Sequence, residues 1–311
     1  MHTCISITKT AIIFAVIAAF IAALSPPLCK IVVTDIPPVT TAALLNLGAG
    51  IGFGILGLLG RNTPVLRGEK HLSKSDIPWI SGLAVTEMLA AISMMAGLSL
   101  TAASNASLLN NFETVTTAVI ALILFKEMIP RRLWFAIILI TVGCMAVSFQ
   151  GMESFTFSPG SLLIVLACVF WGFENNFMKK TADKNPVEVV ACKGIFPGIG
   201  ALVIALILGE QFPAPGTIAA VMALGVVIYG LNILFLVYSE RHLGAAKACA
   251  IYGINPFLAA IVSCIIFLEI PSPLIVIAFV LMIPGVYLAA TARRKGERRD
   301  DNAAEKDRAD T

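Results

Sequence analysis

Apolar residues along this chain run in long blocks and do not alternate with polar ones. Charge-free stretches cover Thr10–Cys29, Ile36–Gly60, Leu133–Met152, Ser154–Phe173, Gly194–Gly209, Gln211–Ser239, Ala248–Leu268 and Ile270–Ala292. The stretch Ile77–Phe125 is interrupted by Glu87 and Glu113 alone, is too long for one crossing, and carries a polar break at Thr101–Asn105. A helix that crosses a bilayer needs about 20 mostly apolar residues, because hydrocarbon offers no partner to an unpaired backbone group. Barrel strands alternate over about 10 residues and do not match blocks of this length. The pattern therefore predicts an all-α integral membrane protein of ten transmembrane helices.

Composition agrees. The chain is 58% apolar and 13% charged, with a mean hydropathy of +0.90, against about 25% charged in soluble domains. Lys9 followed by an apolar run to Ala22-Ala-Leu-Ser25 resembles a secretory signal peptide. It reads instead as an uncleaved first helix, since removing it would leave nine spans. Seven cysteines are scattered, mostly inside apolar runs, and read as small packing residues.

Basic residues orient the chain. With the loops numbered from an inside N-terminus, all of the 22 Lys and Arg except Lys30 and Lys193 fall on the inner side. The positive-inside bias then puts both termini in the cytoplasm, with the protein in the cytoplasmic membrane. The tail 293–311 mixes charges, holds almost nothing apolar, and is expected to be disordered and cytoplasmic.

The chain also repeats itself. Ala103–Glu127 resembles Ala245–Glu269 at an offset of 142, with Ala106, Ala118, Phe125 and Glu127 matched by Ala248, Ala260, Phe267 and Glu269. Lys30 with Lys179 and Pro37 with Pro186 pair at an offset of 149, and the longer basic loop Arg61–Asp76 explains the difference. Residues 1–150 and 151–292 thus read as two five-helix repeats. An odd number of crossings inverts the second repeat, a transporter pattern that places the solute site near mid-membrane.

The run Ala106-Ser-Leu-Leu-Asn-Asn-Phe-Glu-Thr-Val-Thr-Thr-Ala with Phe125-Lys-Glu127, and Ile254-Asn-Pro-Phe with Phe267-Leu-Glu269, are similar to the fourth- and ninth-helix signatures of EamA-type transporters in the drug/metabolite transporter superfamily. The resemblance covers nearly all of Ala11–Ala292. It implies a ten-span fold and export of a metabolite, amino acid or toxic compound. Many members carry proline where this chain has Thr114, so a helix break is expected to be weaker there than at Pro256.

An ionisable side chain at bilayer depth costs at least about 2.5 kcal/mol, so each must face protein or water. Glu113 sits midway along the fourth span, with Asn110 three residues before and Thr117 four after, on one polar stripe. These three read as substrate-binding, with hydrogen bonding between helices as the structural alternative. Glu174 lies near the inner end of the sixth span, one turn after Trp171 and beside Asn175 and Asn176. Carboxylate and indole together suit an amine-bearing solute; an interfacial helix end is the equal alternative.

Glu87 has nothing polar at i±3 or i±4, so its partner must come from another helix. With Glu113 it is a candidate for proton coupling; for Glu87 a neutral, hydrogen-bonded structural carboxyl is the equal alternative. Lys193 follows Glu188 by five residues, a spacing that does not pair them on one face. Its ammonium is expected to snorkel to the inner interface, the favoured reading, or to meet a carboxylate of the cavity or the solute. Tyr229 with Asn232, and Tyr252 with Asn255, share an i,i+3 spacing that suits cavity lining or bonding between helices. Pro256 allows a kink where the repeat puts a gate. Gly48, Gly50, Gly52 and Gly54 suit close helix packing.

Other chemistries have little support. His2, His71 and His242 lie at margins or loops, with no His-Glu-X-X-His motif and no phosphate-binding loop, so no metal, cofactor or ATP-driven pump is expected. The net charge of +3 follows topology and indicates no nucleic-acid face. The expected function is secondary-active transport by alternating access. A membrane-embedded enzyme using Glu113 with Lys193, or a channel-like permease, stay open as alternatives. Three acids against one lysine favour a cationic or zwitterionic solute. The expected partners are that solute and the lipid bilayer, with a homodimer left open. Reporter tags at Glu153 and Asp310 are expected on opposite faces of the membrane; finding both on one face sinks the even-numbered topology.

Overall fold

The computed structural model describes residues 2–59, 70–126, 131–148, 158–181, 184–243, 252, 254–268 and 273–290. Regular structure among them is helical, apart from an isolated parallel bridge between Lys70 and Lys184. The α-helices are α1 His2–Asp35, α2 Pro38–Leu59, α3 Ile77–Leu100, α4 Ala103–Leu109, α5 Phe112–Phe125, α6 Arg131–Ser148, α7 Pro159–Met178, α8 Pro186–Leu208, α9 Pro215–Gly225, α10 Asn232–Leu243, α11 Asn255–Phe267 and α12 Pro273–Ala290. Among the described residues seven segments are long and apolar enough to cross a membrane: Thr10–Asp35, Pro38–Leu59, Lys74–Leu100, Ala103–Leu124, Pro159–Met178, Pro186–Leu208 and Pro215–Leu236. Trp134–Gly143, Asn255–Phe267 and Ile275–Leu288 form shorter apolar helices. The fold is a multi-pass helical membrane protein whose outward faces carry residues such as Leu59, Phe135 and Ile207. The charged tail 293–311, Glu127 and Glu269 lie outside the described residues.

Glycine sets how close the central helices come. An added Cβ at Gly50 would fall 2.3 Å from the Ile195 nitrogen, and one at Gly194 2.3 Å from the Gly50 nitrogen, so α2 and α8 touch backbone to backbone. One at Gly48 would fall 2.0 Å from the Met222 carbonyl, joining α2 to α9. Without a hydrophobic drive between helices in lipid, such close contact is what holds them. The sequence reading of these glycines as packing residues holds for Gly48, Gly50 and Gly52, while Gly54 meets just the tip of Ile195.

The chain interleaves. α1 packs on α10 and α11, α7 packs on α3 and α5, and α6 packs on α12. Polar straps tie the ends of the bundle. At one end the Glu210 carboxylate accepts from the Thr40 amide at 2.7 Å, the Thr40 hydroxyl at 2.8 Å and the Val39 amide at 3.3 Å, satisfying orphan donors at the start of α2. At the other end Glu188 accepts from the Leu72 amide at 2.9 Å and pairs with His71, while Lys184 lies 3.0 Å from Asp76.

One local expectation needs correcting, and two further points of the sequence reading acquire a geometry. The first helix does not stop at Cys29: it runs to Asp35, so Lys30 lies inside it and not in an outer loop. Its ammonium donates to the Leu98 and Ser99 carbonyls at 2.6 and 3.3 Å, capping the end of α3. The fourth span does break without proline. Asn110 and Asn111 tighten into i→i+3 bonds between α4 and α5, and the Asn111 side chain donates to the Leu108 carbonyl at 3.0 Å, competing with the helix ladder. Pro256 is the second residue of α11, where its missing N–H costs no helical bond, and of the ten residues before Asn255 just Tyr252 and Ile254 are among the described residues, with Leu243 ending α10.

Among the described residues two that are not glycine have left-handed backbones, Lys126 (φ 52°) and Leu268 (φ 52°), closing α5 and α11. They are 142 positions apart, the offset of the sequence repeat. A bulky side chain rarely adopts this conformation, so the shared cap is a specific likeness between the two segments. Gly50→Ala is expected to lower the melting temperature in detergent, with overpacking of about 1–3 kcal/mol, whereas Gly216→Ala, with nothing within 4 Å of the added carbon, leaves it unchanged.

Candidate functional site

The lone acid of α3 and the lone cation of α8 meet in the middle of the bundle. Lys193 Nζ lies 2.6 Å from a Glu174 oxygen and 3.8 Å from a Glu87 oxygen. Trp171 Nε1 donates to that same Glu87 oxygen at 3.0 Å. Glu174 is 1% exposed and Glu87 3% exposed. A bare carboxylate so far from water is strongly disfavoured, and the ammonium and indole supply what water would have given.

The second acidic position is built by α5 and α7. Asn175 Nδ2 donates to Glu113 at 2.7 Å and to the Thr117 hydroxyl oxygen at 3.2 Å. Trp171, Glu174 and Asn175 follow i,i+3,i+4 spacing, so α7 presents all three on one face. Across from them, Asn232 Nδ2 donates to the Tyr252 hydroxyl at 3.1 Å. Tyr229 enters from a π-helical turn, Val226–Leu231, a widened stretch of a kind frequent at functional sites. In α1, Pro26 and Pro27 have no N–H to donate, which frees the Ala22 and Ala23 carbonyls from the helix ladder.

These groups enclose a cavity of about 190 Å³. Its lining includes Glu87, Asn110, Glu113, Trp171, Glu174, Lys193, Tyr229, Asn232, Tyr252, Asn255 and Pro256, all of them site residues expected from the sequence. Thr117 is the exception: it does not line the cavity and instead supports Asn175 from behind. The interfacial reading of Glu174 and the snorkelling reading of Lys193 are both replaced by their mutual ion pair. For Glu87 the partner does come from other helices. Sequence reasoning passed over Asn175 and Asn46 as site residues. Asn175 was signalled by its i+4 spacing from Trp171, and Asn46 by being a polar side chain in an otherwise apolar run.

The repeat offsets recur in the lining. Glu87 with Tyr229, Asn110 with Tyr252, and Glu113 with Asn255 are each 142 apart; Ala22 with Trp171, Ser25 with Glu174, and Pro26 with Asn175 are each 149 apart. In every pair both members line the cavity, and in every pair with an acid the partner is neutral. The acids sit on α3, α5 and α7, with α3 and α5 both packed on α7; their counterparts sit on the π turn before α10, on α11 and on α1, with the π turn and α11 both packed on α1. The cavity thus has an acidic wall and a neutral wall. Among the described residues no group of three His, Cys, Asp or Glu is disposed to hold a metal ion.

Comparison with known proteins fits this arrangement. The model of the EamA-like transporter family matches the chain twice, at residues 9–149 and 158–291. An "uncharacterized transporter" of Methanothermobacter thermautotrophicus is 26% identical over 287 residues, covering 85% of this chain and 81% of that protein. The "uncharacterized transporter YdfC" of Bacillus subtilis is 26% identical over 188 residues, covering 58% of this chain and 60% of that protein. One solved crystal structure superimposes with a TM-score of 0.62 at 19% identity, covering 91% of this chain and 97% of that chain, a likeness of fold.

Lys193→Met strands two buried carboxylates and is expected to destabilise the protein by about 3–5 kcal/mol. Adding Glu174→Gln should recover part of that loss, so that thermal unfolding of the double variant is milder than additivity requires; strict additivity would mean the pair contributes nothing as a pair.

Proposed function

The chain belongs to the EamA-like transporter family, and from that premise we propose that it is a secondary transporter that exports a small cationic or zwitterionic solute through this cavity by alternating access. Membership and the names of both relatives point to a membrane transporter and away from an enzyme. The observation that carries the reading is a cavity in which three carboxylates and one ammonium converge among helices from both matched segments. Its volume of about 190 Å³ lies below the roughly 300–1,000 Å³ of sites for drug-sized ligands. That favours a compact metabolite or amino acid over a bulky drug.

Seven long and three shorter apolar helices support a ten-span count. The twofold match to one family model, the paired left-handed caps and the paired lining residues support two repeats. Interleaved packing supports moving units that differ from the sequence halves: α3, α5 and α7 against α1, α10 and α11, with the α2–α8 glycine contact as pivot. Glu113 and Glu87 are the candidates for carrying a proton opposite to the solute. Asn110, Asn255 and the Asn232–Tyr252 pair would orient its neutral parts.

Purified protein in proteoliposomes carrying a pH gradient, scanned with small amines, amino acids and organic acids, tests this. Saturable, gradient-driven movement of an amine-bearing solute is expected, with Glu113→Gln lowering the rate at least tenfold. Gradient-independent flux, or a Glu113→Gln variant as fast as the parent, would overturn the coupling; no flux of any solute would overturn the function.

A further inference from the structure

Lys193 is the sole cation among the described residues that line the cavity, and it does not belong to the acidic wall. It reaches that wall from α8, whose backbone is locked against α2 at Gly194 and Gly50. Its ammonium makes one close contact, to Glu174, and one longer one, to Glu87, whose near oxygen already accepts from Trp171. Glu113 is held by a neutral amide instead. A cation fixed for architecture would suit arginine, whose planar fork binds a carboxylate bidentately; lysine is a point charge on a flexible stem with rotatable donors. Here the stem is part-exposed, its side chain 17% accessible, so it has room to swing within the cavity.

We propose that the Lys193 ammonium is a tethered stand-in for the cationic group of the solute: it occupies Glu174 and Glu87 in the empty cavity and yields Glu174 to an amine that enters. This rests on the reading of the cavity as the solute site, and it names the ligand group as a protonated amine. The acidic wall explains the direction of the preference. An entering ammonium exchanges one cation for another on the same carboxylates, with no charge left uncovered. An entering carboxylate must instead draw Lys193 away from two acids and leave both bare. Once displaced, Lys193 is free to meet a carboxylate on the same solute, so a zwitterion is accommodated better than a simple amine.

The test uses the full chain in lipid nanodiscs with Trp79→Phe and Trp134→Phe, so that emission reports Trp171 beside Glu87. The probes are propylammonium, propionate and 1-propanol, matched in size. Propylammonium is expected to bind saturably and 1-propanol not at all. Lys193→Ala, which removes the competitor, should bind propylammonium at least tenfold more tightly, and the amine should raise the melting temperature of that variant more than that of the parent. Glu174→Gln should weaken amine binding at least tenfold. Propionate binding that Lys193→Ala abolishes would make Lys193 an anion receptor and overturn the proposal. Equal amine affinity with and without Lys193, or no amine binding by either, would make it a helix clasp and overturn it as well. Should Lys193→Ala fail to fold, unchanged amine binding in Glu174→Gln overturns it alone. Binding is read without flux, so a protein that transports nothing would sink the proposed function and leave this result standing.

Discussion

A charge withdrawn from water inside a bilayer must find its counter-charge in the protein, and the centre of this structure is organised by that demand. Lys193, Glu174 and Glu87 come from α8, α7 and α3, and none has a partner on its own helix. Their meeting fixes how three helices are rotated, because a turn of any one would strand a buried ion. The Trp171 indole completes the set and draws the face of α7 toward the cavity.

The same demand acts on the backbone. Hydrocarbon offers no hydrogen bonds, so each helix end needs a partner from elsewhere in the chain. Lys30 supplies donors to the end of α3, and Glu210 supplies an acceptor to the start of α2. These contacts tie distant segments together and locate the ends of α2, α3 and α8. The interior contacts are then set by glycine, whose missing side chain lets α2 and α8 meet at backbone distance. A polar cavity survives between such tightly held elements because its polar groups pair with each other across it.

Two segments that match one family model supply the cavity with paired lining positions and leave the charges unmatched. Positions that correspond under the offsets of 142 and 149 both line it, yet the acids fall on α3, α5 and α7 while Tyr229, Asn255 and Ser25 take the corresponding places. A symmetric frame suits exchange between two related conformations. Under the proposed function, the asymmetric charge offers a solute one wall to hold.

Much of this was legible along the chain. Membrane helices, the repeat and the polar candidates follow from the spacing of apolar and polar residues, since the bilayer penalises each misplaced charge independently of the rest of the fold. The need of Glu87 for a remote partner was readable for the same reason. For Lys193 the structure takes the second of the two readings, a cavity carboxylate, because spacing along one helix does not say which acid on another helix lies within reach; a polar stripe likewise does not say that Thr117 supports Asn175 from behind. Lys30 reaches the end of α3 through bonds to a remote segment, the break at Asn110–Asn111 rests on local bonds that compete with the helix ladder, and no spacing in the sequence marks the π turn under Tyr229. The sequence by itself determined which residues must leave lipid. The tertiary structure decided where each of them went, because a buried charge or carbonyl is satisfied by whatever group packing brings within about 3 Å of it, and that group is rarely a neighbour in sequence.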